Sequence, residues 1–485
     1  MGGGPVLGII SHQPATRSMA GPSIRCWEFA RALAGDAEVK LIAPEPSDLE
    51  PDGFSLVEYG EDGPAAAAAG CDALVCQGYS LSLYPELKRM DCLLVVDLYV
   101  PMALEALEQD SWLEPDERSD AYANTLTALM DQAVAGDFFI CASERQRDYW
   151  LGYLTAAGRV EPEAYAIDAS LRSLIDVVPF GVPGEEPLSR GAAVKGVVPG
   201  IAADDRLIVW GGGIYNWLDP LTPIHAMALL RERRPEIKLY FMGTRHPDPH
   251  VPRMRAYDEA VELSRSLGLL DTTVFFNDRW VPYEERGGYL LEADIGLSAN
   301  QPHLETRFSF RTRILDYIWA RLPIVATDGD VLADLVEANG LGLVAGSGDA
   351  ASLAAALERL MDDEAMRRRC RDNLAAQAAE MRWEDIVAPV RRQLERLGRE
   401  ELRQPQRSGV AGFQQAELDR RQEEIARLGG KVAANAADIE KLWEMVAEKD
   451  LAIEHFRGVI ADKDRQLKNP LYRLKVIAAN RLRKG

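Results

Sequence analysis

Leu207-Ile208-Val209-Trp210-Gly211-Gly212-Gly213 is the stretch on which the fold of this chain turns. Four apolar residues make a run of strand length, and three glycines end it. A helix-patterned segment over 220–234 follows, so the unit reads as strand, glycine turn, helix. Glycine lets a backbone approach a phosphate with no Cβ in the way, and the helix beyond can present free N–H groups. Glycine serves such turns for conformation alone as well, so the signal takes its weight from what surrounds it.

Outward from that stretch the alternation repeats. Further strands are expected at 238–242, 273–276, 295–298, 324–327 and 341–344, with helices at 253–267, 311–320 and 351–361. Upstream, strands are expected at 6–10, 39–43, 73–77, 93–97, 138–142 and 174–179. The segment 23–34 places Ile24, Trp27, Ala30 and Leu33 on one helical stripe. Strands alternating with helices of this length build parallel sheets. A Pro/Gly-rich passage at 179–200 parts the two series. The expected organisation is an N-terminal domain over 1–182, a linker over 183–200, a second domain over 201–380 and a crossover helix over 381–400. Two doubly wound α/β domains in tandem face each other across a cleft, and ligands of such sheets sit beyond the carboxyl ends of the strands.

The composition fits this reading. A chain of 485 residues exceeds one ordinary core, and 47% hydrophobic with 27% charged residues is a globular balance. The formal charge of −21 argues against a general nucleic-acid partner, which needs positive surface to displace counterions. The N-terminus shows no signal-peptide pattern, and no apolar run reaches the roughly 18 residues of a membrane span. Six scattered cysteines and six histidines form no metal-spaced set, so buried thiols in a reducing cytoplasm are expected.

Beyond residue 412 the period changes to seven. Leu418, Ile425, Val432, Ile439, Val446, Ile453, Ile460 and Leu467 recur at that spacing. Three residues on, Leu428, Leu442 and Phe456 alternate with the polar Arg421, Asn435 and Lys449. This is the seam of a coiled coil over 413–467, about 75 Å long from Leu418 to Leu467 at 1.5 Å per residue. A homodimer is expected from it, with Gly429 and Gly430 as weak points. The tail, 468–485, interleaves Leu471, Leu474, Val476 and Ile477 with Lys and Arg, a pattern suited to an anionic membrane surface.

Two further segments carry chemistry. In Arg311-Thr-Arg313-Ile-Leu-Asp316, paired cations suit a diphosphate and the carboxylate suits ribose hydroxyls. Thr327-Asp328-Gly329-Asp330 looks like an Asp-x-Asp metal site, but Asp330 stands where the N-cap of the next helix belongs, and capping is the reading preferred.

Together these segments resemble the retaining glycosyltransferases of family 4, which have the GT-B fold of two Rossmann-like domains. Val177-Val178-Pro179-Phe180-Gly181-Val182 is similar to that family's exit from the first domain. The segment from Asp316 through Pro323 to Val325 is similar to its Glu-Ala-Met-Ala-x-Gly-x-Pro-Val-Val motif, and Trp383-Glu384-Asp385-Ile386 to the start of its crossover helix. The resemblance implies that Asp316 holds the ribose. It also places Gly211, Gly212, Gly213, Gly329 and Asp330 where backbone amides meet the donor's diphosphate or sugar, and Gly21 to Arg25 at the loop bordering the acceptor.

The chain departs from the family pattern at informative points. Phe308 stands where the family has its first Glu, leaving Glu305 as the nearest carboxylate and the candidate for the donor sugar. Asn216, Trp217 and Asp219 replace the usual cation after the glycine loop, so Asn216 joins the donor set and Arg311 and Arg313 are expected to supply the charge. Asp97 falls near an acceptor-side position. The expectation is transfer from a nucleotide sugar to a glycan, lipid-linked or other acceptor, with retention, no metal and no cofactor. The alternatives are a noncatalytic nucleotide-sugar-binding scaffold and a GT-B nucleotide-sugar epimerase.

Overall fold

The structure is a computed structural model that describes residues 4–244, 246, 251, 253–398, 411–468 and 470–482. It divides into two compact units, residues 1–410 and 411–485.

The first unit holds two parallel sheets. β1 (Val6–Ile10), β2 (Glu38–Pro44), β3 (Ser55–Tyr59), β4 (Ala73–Gln77), β5 (Leu93–Asp97), β6 (Phe138–Cys141) and β7 (Ile175–Val177) form a sheet of order β3-β2-β1-β4-β5-β6-β7. β8 (Arg206–Trp210), β9 (Ile237–Phe241), β10 (Val274–Phe276), β11 (Ile295–Ser298), β12 (Ile324–Thr327) and β13 (Gly342–Ala345) form another, of order β10-β9-β8-β11-β12-β13. β4, β5, β6, β11 and β12 are buried at every residue, as strands covered by helices on both faces must be. Each sheet reverses its order beside its first strand, between β1 and β4 and between β8 and β11. Those switch points open a crevice at the carboxyl ends of the strands.

Every expected strand is present with ends shifted by a residue or two. β3, which the strand pattern above omits, is a half-exposed edge strand that pairs only with β2. The helix expected over 23–34 runs from Gly21 to Leu33, so Gly21 to Arg25 is the first turn of a helix with Pro22 in it rather than a loop. The stretch 183–200 contains no helix or strand. It is held to the second domain by Glu292, whose carboxylate accepts from the amides of Ala193, Val194 (3.0 Å) and Lys195 (2.8 Å).

The chain returns to the first domain through the Trp383–Ile386 and Ala388–Gly398 helices. Trp383 is buried against Phe29 and Phe180, with ring centroids 5.8 and 5.5 Å away. Arg391 then pairs with Asp36 at 2.8 Å and Arg392 with Asp176 at 2.7 Å. Residues 399 and 400 of the expected crossover helix lie outside the described residues. All six cysteines are buried and free.

The second unit is a helix of 58 residues, Ala411–Lys468, followed by the helix Pro470–Leu482. The long helix runs unbroken through Gly429 and Gly430. Ile425, Val432, Ile439, Val446, Ile453, Ile460 and Leu467 are exposed along it in this single chain. The side chain of Leu418, and residues 469 and 483–485 of the tail, lie outside the described set. Among the described residues, no helix is long and apolar enough to cross a membrane.

Candidate active site

A cavity of about 670 Å3 lies between the two sheets of the first unit. Its second-domain wall begins at the turn after β8. Gly212 has φ +71°, a conformation that a side chain would strain. The Gly211 amide donates to the Tyr317 hydroxyl at 2.7 Å, and the Gly213 carbonyl accepts from Arg313 Nη2 at 3.1 Å. The amides of Gly212 and Gly213 carry no hydrogen bond among the described residues.

Arg313 opens the Arg313–Trp319 helix, and its guanidinium lies 4.2 Å over the Trp210 ring. It is 9% exposed and, among the described residues, pairs with no carboxylate and has its buried Nη1 without a partner. Burial, with Arg311 adding to it, lowers its pKa to about 10, so it is still charged at neutral pH.

Arg311 is in a different state. Its two terminal nitrogens reach both oxygens of Glu305 at 3.0 and 2.6 Å, and both residues are buried. Arg311, expected to grip a diphosphate, and Glu305, expected to meet the donor sugar, are thus already joined to each other. Asp316 accepts from Arg286 Nε at 2.9 Å and is partly open to the cavity. Arg286 is itself held between Tyr283 and Trp319, 3.6 and 4.3 Å from their ring centroids.

Three donor-site candidates do not line the cavity: Asn216, Gly329 and Asp330. Asn216 is engaged elsewhere, accepting from the Ala256 amide at 3.1 Å and donating across to the Gln109 carbonyl of the first domain at 3.4 Å. Asp330 caps the Val331–Ala338 helix. One oxygen accepts from the amides of Leu332 (2.7 Å) and Ala333 (2.9 Å), the other from Asn300 Nδ2 (2.6 Å). Asp328 is likewise taken, by the amide and hydroxyl of Ser347 at 2.8 and 2.7 Å.

On the first-domain wall, Arg25 and Asp97 form a closed pair. Arg25 Nε and Nη2 reach the Asp97 oxygens at 2.5 and 3.1 Å, and its remaining donors reach the carbonyls of Pro179 and Val178. Phe29, Tyr99 and Phe180 surround the guanidinium at 4.4 to 5.0 Å. Arg25 is fully buried and does not line the cavity, whereas Gly21 and Asp97 do. With four of the five guanidinium N–H groups engaged, the pair ties β5 to the first-domain exit, and Asp97 meets the cavity as a carboxylate already paired.

Glu105 and Arg286 were not among the expected site residues. Glu105 projects from the Met102–Gln109 helix after β5 and lines the cavity with no hydrogen bond or ion pair among the described residues. Burial, with Glu305 across the cleft adding to it, pushes its carboxyl up to about 8. The position of that helix, just past the carboxyl end of a central strand, was the available signal. Arg286 gave none, since its partner Asp316 is thirty residues away. Phe308 packs on Tyr149 of the first domain at 4.9 Å, and its carbonyl accepts from Gln146 there, so the departure from a family carboxylate serves a contact between domains.

Comparison with known proteins bears on this geometry. No curated protein matches the chain. Among solved structures, sucrose-phosphate synthase from Thermosynechococcus elongatus aligns with TM-score 0.58 at 17% identity, covering 82% of this chain and 99% of its own. Trehalose-6-phosphate synthase from E. coli, bound with UDP-2-fluoro glucose, gives 0.57 at 14%, with 80% and 99% covered. HepE from Anabaena, in complex with UDP-glucose, gives 0.55 at 14%, with 81% and 99% covered. Identities this low speak for the fold, which is the two-domain GT-B fold. Residues 205–363, which carry the glycine turn, both arginines and Asp316, match the family described as Glycosyl transferases group 1.

Proposed function

We propose that this chain transfers a sugar from a nucleoside diphosphate sugar to an acceptor hydroxyl, with retention at the anomeric carbon. The observation that carries this reading is Arg313, a buried cation with no ion-pair partner among the described residues, beside two unengaged glycine amides on the cavity wall. A buried charge left unpaired is costly, and a diphosphate would supply both the charge and the acceptor oxygens. The match to glycosyl transferases group 1 over this wall, and the UDP sugars bound by neighbours of the same fold, support it.

In this reading the acceptor oxygen bonds to the anomeric carbon as the carbon–oxygen bond to the diphosphate breaks. The electron pair stays on the departing oxygen, which takes the acceptor's proton on the same face. Arg313 and the glycine amides offset the developing charge, and Asp316 receives the ribose hydroxyls. We take the transfer to be metal-independent, because Asp328 and Asp330 are both engaged by N–H and O–H donors.

The test is a panel of nucleoside diphosphates and nucleotide sugars, read by thermal shift and calorimetry on the full chain. A stabilising ligand whose binding weakens in Arg313→Ala supports the reading. A panel with no binder, or equal binding by the variant, overturns it.

A second reading, a nucleotide-sugar-binding scaffold, is favoured by Phe308 and by the locking of Glu305 to Arg311. Binding without release of nucleoside diphosphate across an acceptor panel would establish it. We further propose that the exposed heptad seam makes a homodimer, which a monomeric mass in solution would refute. We place the protein in the cytoplasm, with its basic tail on anionic membrane. Vesicle sedimentation unchanged by truncation after Asp462 would remove the tail from that role.

A further inference from the structure

The cavity is electrically divided. The arginines that line it, Arg286, Arg311 and Arg313, all stand on the second domain. Among the described residues, the first-domain wall contributes no Lys or Arg to the lining; beside His12, two tyrosine hydroxyls and the paired Asp97, its ionisable groups are the carboxyls of Glu105 and Asp110, which enter no ion pair among those residues. The hydroxyls of Tyr79 and Thr125, 2.9 Å apart, complete that side. Asp97 adds no net charge, because Arg25 neutralises it.

Resting on the donor reading above, we propose that Glu105 selects the acceptor, and that the acceptor presents an uncharged sugar to this wall rather than a sugar phosphate. With the diphosphate drawn to the second-domain arginines, the acceptor must enter against Glu105 and Asp110. Sugar hydroxyls satisfy a carboxyl in either protonation state, giving to its oxygens when it is ionised and also taking its proton when it is not. A phosphate monoester would have to shed water from about two negative charges against a wall whose described lining offers no Lys or Arg in return, and it would be repelled by Asp110 and, once Glu105 ionises, by Glu105 as well. Glu105 is suited to discriminate because its carboxyl has no partner to give up and faces the Glu305–Arg311 pair across the opening, where the donor sugar and acceptor would meet. Burial keeps it protonated to about pH 8, so near neutrality it can donate one hydrogen bond and accept others.

The experiment saturates the full-length protein with the nucleoside diphosphate that binds best in the panel. It then titrates paired probes, methyl glucoside with glucose 6-phosphate and N-acetylglucosamine with its 6-phosphate, by calorimetry. The uncharged member of at least one pair is expected to bind ten times or more tightly than its phosphate. Glu105→Ala, which removes both donor and acceptor, should weaken that sugar roughly tenfold while leaving the nucleoside diphosphate affinity unchanged. Glu105→Lys, which puts a cation on this wall, should narrow or invert the preference. Preferred binding of a phosphate by the parent protein overturns the proposal. So does a panel in which no uncharged sugar binds, or a Glu105→Ala variant with unaltered sugar affinity. Failure of every nucleoside diphosphate to bind would instead strike the donor reading, and this proposal falls with it.

Discussion

Arg25 and Arg313 occupy comparable places, each buried near the carboxyl end of its sheet and each stacked on aromatic rings, yet they are in opposite electrical states. Arg25 has a bidentate carboxylate and two carbonyls, so none of its charge is left to offer. Arg313 has one carbonyl, no carboxylate and an unengaged Nη1. A buried ion pair stabilises little relative to apolar packing, but breaking one is strongly destabilising. A buried unpaired cation is a standing cost that a ligand can remove. On the reading proposed above, the first arrangement marks structure and the second a binding site, and the difference is carried by the partners rather than by burial.

The largest expected effect tests the closed pair. Asp97→Ala leaves Arg25 buried without its carboxylate and should cost about 3–5 kcal/mol of unfolding free energy. Denaturant midpoints of Asp97→Ala and of Arg25→Met/Asp97→Leu measure it. The double variant should recover most of the loss, and an Asp97→Ala protein as stable as the parent would break the comparison at its first member.

Arg313→Ala tests the other member. It should weaken nucleoside diphosphate binding about ten- to a hundredfold, the equivalent of about 1.5–3 kcal/mol for a charge-assisted hydrogen bond. Its midpoint should equal or exceed that of the parent, because an unpaired buried charge has been removed. A marked loss of stability would show that Arg313 is structural, as Arg25 is.

Asp330 sharpens the contrast from the side of the anion, since it is a buried carboxylate held by N–H donors instead of a guanidinium. Asp330→Ala should cost about 1–2 kcal/mol, the range of a lost N-cap that also strands a partner. Activity under a strong chelator should persist, and loss reversed by added Mn2+ or Mg2+ would show that this turn holds a metal.

A test resolved by pH concerns Glu105, which has neither kind of partner among the described residues. Its proton stays on to about pH 8 in the folded chain and leaves near 4.3 in the unfolded one. Between those values the folded state binds more protons, so this group makes stability fall as pH rises, levelling off above about 8. Glu105→Gln removes that slope. The variant should gain on the parent progressively between about pH 5 and 8, read from urea midpoints at matched ionic strength, and parallel curves would show that Glu105 ionises normally.

What the sequence made legible follows from how locally each feature is encoded. β8 with its glycine turn is written in consecutive residues, as is the Asp330 cap, whose donors lie two and three residues on. The partners of several charged site residues are written far from them. Asp97 and Arg25 are 72 positions apart, and Asp316 and Arg286 are 30. Arg311 and Arg313 look equivalent in the chain because they are two residues apart. Only the fold shows that Glu305 has claimed the first and left the second. β3 was missed because a short alternating segment on a sheet edge carries too few apolar residues to stand out from its turns.

Tyr317 has a consequence for the timing of ligand capture. Its hydroxyl takes the Gly211 amide and is shared with the carbonyls of Leu297 and Val209, and its ring fills space at Gly296 where a Cβ would come within 2.5 Å of it. The glycine turn and the helix bearing Arg313 are thereby fastened by one side chain, so the groups that would receive a diphosphate are assembled before it arrives. Little ordering entropy is left to be lost on that wall. Capture of the nucleotide half should therefore proceed at the pace of encounter, with the slower adjustment confined to the side where Glu105 waits.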